Sequence, residues 1–142
     1  MSLRVEIIPC RTDNYSYVCI DSENNAFVVD PSEFIPVDDF IKKNNLNLKY
    51  ILNTHHHFDH VGGNIELKEK YGAKIVGNKN DKDRIPGIDI CLMEGEFFKF
   101  NKYKAEIIDI PGHTIGHIAF HIQSENIVFT GDTLFSLGCG RI

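Results

Sequence analysis

The chain lacks a hydrophobic run of membrane-spanning length, and its first residues, MSLRVEIIPC, hold no long apolar segment of the kind that marks a secretory leader. It lacks a basic excess. The net charge of -5 leaves no electrostatic footprint for nucleic acid or for an anionic lipid surface. It lacks any CxxC pair: Cys10, Cys19, Cys91 and Cys139 are far apart, which argues against a disulfide framework and against a thiolate zinc knuckle. Internal repeats and low-complexity segments are absent too. A single domain of 142 residues with packed, reduced thiols in the cytoplasm is the expectation, without nucleic-acid or membrane partners.

What is present is a succession of short strands. LRVEIIP, NYSYVCID and NNAFVVD are β-branched and aromatic runs separated by turn formers, and they read as antiparallel neighbours. A helix is expected from Pro36 to Lys43, with Val37, Phe40 and Ile41 on one face. LNLKYILNT is apolar enough for a strand covered on both faces. NIELKEKYG reads as a second helix, with Asn64 as N-cap and Gly72 as its stop. AKIVG reads as a short strand, residues 78–87 as a polar surface loop, and DICLM, EFFKF, KAEIIDI, HIAFHIQ and NIVFTG as further strands. The class is α/β (α+β) with a mixed sheet.

Three loops stand out because each follows a predicted strand: THHHFDH (54–60), PGHTIGH (111–117) and the GDT of residues 131–133. In open sheets ligands gather at that edge. Four of the seven histidines fall in the first loop. In extended backbone His55, His57 and Asp59 share a side, while His56 and Phe58 point away. His60 can join them only if the chain turns, which Val61-Gly62-Gly63 permits. Imidazole and carboxylate without thiolate suit zinc, iron or manganese. His55, His57 and His113 supply nitrogens for one ion with a position left open. Asp59 and His60 would overfill that ion, so a second ion with Asp132 as bridge is the economical arrangement. Two such ions hold a shared hydroxide and polarise a carbonyl. His117 and His121 receive no ligand role. Cys139, between glycines, is assigned to packing.

THHHFDH, PGHTIGH and TGDTLFSLGCGRI resemble the signatures of the metallo-β-lactamase superfamily, and within it they are most similar to the glyoxalase II (hydroxyacylglutathione hydrolase) family. VVDPS, with Asp30, resembles the superfamily's early aspartate motif. The resemblance implies an αββα sandwich with a binuclear metal site, normally zinc, and hydrolysis of S-D-lactoylglutathione to glutathione and D-lactate. By position, His55, His57 and His113 match ligands of the first metal, Asp59 and His60 ligands of the second, and Asp132 the bridge. Asp30 and Thr54 match residues that orient ligands. Arg141 matches a basic position that contacts the glutathione part of the substrate; a surface arginine is the alternative.

The family's chains are longer. Residues 1–142 are therefore expected to form a domain incomplete at its C-terminus, only the N-terminal half of the sandwich. The second metal site would lack a ligand and bind weakly, and a sheet face would be left exposed for self-association. The rival functions are a mono-iron persulfide dioxygenase, which shares HxHxDH and GCGR, and a non-catalytic metal-binding remnant.

Overall fold

The computed structural model describes residues 3–10, 14–56, 58–110, 116–131 and 134–136, with only the backbone for Phe58, Asp59 and the last three. Two sheets face each other. The first runs β1 (Arg4–Cys10), β2 (Asn14–Ile20), β3 (Asn25–Val29), β4 (Asn47–Leu52), β5 (Lys74–Asn78) and β6 (Ile90–Leu92), in that spatial order. The pairs β1/β2 and β2/β3 are antiparallel; β3/β4, β4/β5 and β5/β6 are parallel, so the sheet is mixed as expected. The second sheet is antiparallel throughout, ordered β11 (Leu134–Ser136), β10 (Ile127–Phe129), β9 (Ile118–Ile122), β8 (Tyr103–Asp109) and β7 (Phe97–Phe100).

The inner faces interdigitate. Cys19, Phe27, Val29, Leu52 and Val76 of the first sheet pack with Phe98, Ile107, Phe120 and Phe129 of the second. Phe27 is the link between them: its ring meets Phe100 edge-on at 4.9 Å and Phe98 at 5.5 Å. A separate core lies under the helices α1 (Phe34–Lys43) and α3 (Asn64–Tyr71), where Val37, Ile41 and Leu67 cover Val18, Val28, Ile51 and Ile75. The central strands are buried on both faces, so they read as continuous apolar runs.

The chain extends further into the second sheet than the sequence reading expected. Alternation identified the later strands but could not say to which sheet they belong, since period two is the same in both. The inner apolar face of each sheet is covered by the other. The outer face of the second sheet mixes exposed Phe97, Lys99 and Lys104 with half-buried Glu106 and His121.

Two helix boundaries differ from expectation. Helix α1 begins at Phe34, so Pro36 stands in its first turn, where a missing N–H costs nothing. Helix α3 is capped by Gly63, not Asn64, because the Asn64 side chain turns inward to a buried partner. Gly72 closes it in the left-handed conformation, as expected.

Asp38 of α1 joins the two helices. Its buried carboxylate takes Lys70 Nζ of α3 at 2.8 Å and the Tyr71 hydroxyl, with Lys42 at 3.4 Å. Burial pushes the carboxyl up, but the hydrogen bonds from Lys70 and Tyr71 and the charges of Lys42 and Lys70 outweigh it and hold it below the ordinary 3.8. A depressed folded-state pKa stabilises fully above the unfolded value and is lost as pH falls through the folded one. D38N is therefore expected to cost about 2 kcal/mol near neutral pH, with the gap to wild type closing under acid below pH 3.8. Thermal unfolding of both chains across that range checks this; a gap that widens in acid contradicts it.

Candidate metal centre

The parallel ladder of the first sheet continues past its strand ends. Asp30 N–H donates to Leu52 O at 2.8 Å, and Asn53 N–H to Val76 O at 2.9 Å. This continuation carries the residues that follow β3 and β4 to one edge of the sandwich. Asp30 takes a left-handed φ of 51°, tolerable for aspartate, which ends the extended backbone of β3. The second sheet reaches the same edge. Ile118 N–H donates to Thr54 O at 2.8 Å, a bond between the sheets. A side chain at Gly131, just past β10, would meet His117 Nε2 at 2.9 Å and Thr54 Oγ1 at 3.1 Å.

At this edge Asp30, His55 and His60, all buried, bring ligand-capable atoms within 4.8 Å of one another. The Asp30 carboxylate is nevertheless engaged by the protein. Oδ1 accepts from Thr54 N–H at 2.8 Å. Oδ2 accepts from the Thr54 hydroxyl at 2.7 Å and pairs with His60 Nδ1 at 3.1 Å. A carboxylate only accepts, so His60 carries its proton on Nδ1. Because the Thr54 hydroxyl gives its proton to Asp30, its oxygen accepts from His55 Nδ1 at 2.9 Å. One buried carboxylate thus sets the tautomer of both histidines and puts both lone pairs on Nε2. Carboxylate–imidazole pairs of this kind orient metal ligands. With Asp30 so engaged, the imidazoles are the atoms that could donate to an ion, and such donors fit zinc, iron or manganese.

The rings of His55 and His60 lie 4.2 Å apart at a tilt, and His117 stacks on His55 at 4.5 Å. His117 Nε2–H donates to Thr130 O at 2.8 Å, tying the end of β10 to the start of β9. The turn expected at His60 is a short helix, α2 (Phe58–Val61). His56 points elsewhere, as alternation requires: its Nδ1 meets Asp81 Oδ2 at 3.0 Å. Of the residues picked from sequence, Asp30, Thr54, His55 and His60 come together. His57, His113, Asp132 and Arg141, and the side chain of Asp59, lie outside the described residues.

Sequence reasoning missed several supports. Asn53 and Asn64, both fully buried, bond to each other at 2.6 Å, and Asn53 Nδ2 donates to His60 O at 3.2 Å. Residues 78–87 are not merely a surface loop. They contain a 3-10 turn, Lys79–Asp81, and bury Asn78, Asp81 and Ile85. The signal available for His117 was its place in PGHTIGH; for Asp81 there was none.

Two facing sheets with a carboxylate–imidazole cluster at their shared edge, able to hold a metal ion, define the class of fold. Residues 10–142 match the metallo-beta-lactamase superfamily, and the chain belongs to it. The fold agrees: the crystal structure of BJP-1, a subclass B3 metallo-beta-lactamase of Bradyrhizobium japonicum, superposes with a TM-score of 0.73 at 23% identity, over 94% of this chain and 59% of that one. The chain is 57% identical over 99% of its length to a hydroxyacylglutathione hydrolase of Pelagibacter ubique, of which it covers 59%. It is 45% identical to that of Methylococcus capsulatus, of which it covers 55%. It thus spans little more than half the length of these relatives. No helix among the described residues is long and apolar enough to cross a membrane.

Proposed function

We propose that the chain carries the metal-binding part of a thioester hydrolase that acts on S-(2-hydroxyacyl)glutathione, S-D-lactoylglutathione in the first place. The observation that carries this reading is the 57% identity to a hydroxyacylglutathione hydrolase across nearly the whole chain. The histidine tautomers set by Asp30 support it independently, since they put both lone pairs on Nε2, the state a metal ligand needs.

In this reading His55, His57 and His113 hold one ion. Asp59 and His60 would hold a second, with Asp132 as a ligand shared by both. Divalent zinc, or iron or manganese in its place, would lower the pKa of a water and polarise the thioester carbonyl. The chain's own contribution is orientation. Asp30 and Thr54 fix the imidazole donors, and the bond from Ile118 to Thr54 keeps the two sheets' loops together. Arg141 is assigned to the glutathione moiety. A thiolate leaves readily, so the reaction needs no strong general acid. The free thiols of Cys10, Cys19 and Cys91 suit the reducing cytoplasm.

The test is hydrolysis of S-D-lactoylglutathione by the purified chain, stripped and then reloaded with zinc, iron or manganese. Metal-dependent loss of the thioester, abolished by a chelator, is expected. A folded, metal-replete chain that leaves the thioester intact, both alone and when supplied with the C-terminal half of a relative, overturns the reading.

A further inference from the structure

Asp81 is a carboxylate with no solvent exposure, on the segment between β5 and β6. Isolated, such a charge would be costly to bury. Here Oδ1 accepts from the half-exposed guanidinium of Arg84 at 3.0 Å, and Oδ2 takes His56 Nδ1 at 3.0 Å. The segment closes on itself, with Arg84 and Ile85 N–H donating to Asp81 O at 3.0 and 3.2 Å. On its other side stands Gly116. Its φ of +85° and its close approach both exclude a side chain: a Cβ there would lie 2.9 Å from Asp81 Cβ and Cγ. Asn78 Nδ2 donates to Gly116 O at 3.0 Å, so the same segment grips that loop twice.

Three stretches of chain therefore meet at one carboxylate. His56 lies between His55 and His57, and Gly116 lies three residues after His113. His56 is thus bonded to Asp81, and Gly116 packs against Asp81 while bonding to Asn78 of the same segment; neither residue is itself proposed as a ligand. We infer that Asp81 is a positioning residue for the metal centre: through His56 and Gly116 it fixes the two loops relative to each other before an ion binds. The inference rests on the metal-centre reading above. Its physical basis is preorganisation. A ligand set held in place by packing and hydrogen bonds loses less freedom on binding than one the ion must assemble.

The test uses the full 142-residue chain and cobalt(II) as the probe, with affinity read by chelator competition and geometry by the visible ligand-field spectrum. D81N keeps the volume but loses the charge that holds His56 and Arg84. It is expected to bind cobalt at least about tenfold more weakly, with an altered spectrum. H56Q is expected to weaken binding in the same direction. Because His56 acts through Asp81, the double variant should be no weaker than D81N alone; a merely structural role would multiply the two losses. If D81N does not fold, R84Q and H56Q carry the test, both expected to weaken binding. Wild-type affinity and spectrum in the variants, or losses that multiply, overturn the inference. A wild-type chain that takes up no cobalt overturns the metal reading and this inference with it.

Discussion

Replacing Asp30 with alanine is expected to destabilise the chain by about 3–5 kcal/mol, the range for removing one side of a buried charged network. The carboxylate accepts from Thr54 N–H, the Thr54 hydroxyl and His60 Nδ1. All of these lie in residues that are almost fully buried. Truncation leaves three donors without an acceptor, each costing about 1–3 kcal/mol before relaxation. D30N separates this loss from the effect on metal. The amide nearly preserves volume but offers one acceptor where the carboxylate offers two. With its oxygen toward Thr54 N–H, its NH2 faces the Thr54 hydroxyl and His60 Nδ1. His60 must then shift its proton to Nε2, where the lone pair for a metal would be. D30N is therefore expected to lose more metal affinity than stability, roughly 10- to 100-fold. Denaturant unfolding of the apo chains and zinc competition measure the two quantities separately. Wild-type zinc affinity in D30N would show that Asp30 does not set the tautomers.

Phe27→Ala is expected to cost about 3–5 kcal/mol, typical of a large aromatic deleted from a core. Set against the roughly 5–15 kcal/mol that holds a domain folded, this is enough to unfold a marginal chain. The ring is 1% exposed, and it meets Phe98, Phe100 and Phe129 of the facing sheet with centroids at 5.5, 4.9 and 6.5 Å. Its removal opens a cavity between the sheets that backbone collapse cannot fill, because the Asp21–Asn101 bond at one end and the Thr54–Ile118 bond at the other fix the separation. Guanidinium unfolding checks this. A loss below about 1 kcal/mol would mean that the sheets do not pack through this ring.

Much of the site was legible because its residues are close in sequence. The alternation of THHHFDH removed His56 from the cluster, and the broken parity at His60 required the turn that α2 supplies. Asp30 and Thr54 came from resemblance alone, since nothing in their spacing links residues 24 positions apart. Asn53, Asn64 and Asp81 were not legible at all. Each is a polar residue that reads as a loop or cap former, and each becomes a buried support only when another segment supplies its partner. Asn64 shows the competition directly: its side chain bonds to Asn53 instead of capping α3.

The sequence by itself determined the strands as far as β10, the mixed character of the first sheet and the chemistry of the donors, because periodicity and side-chain type are local properties. Only the tertiary structure decided that the later strands form a second sheet packed on the first through Phe27, that one carboxylate sets two histidine tautomers, and that an ordinary-looking polar segment carries Asp81 into the interior. The physical reason is the same in each case. A buried polar group or a ring between sheets is defined by its partner, and these partners are distant in the chain.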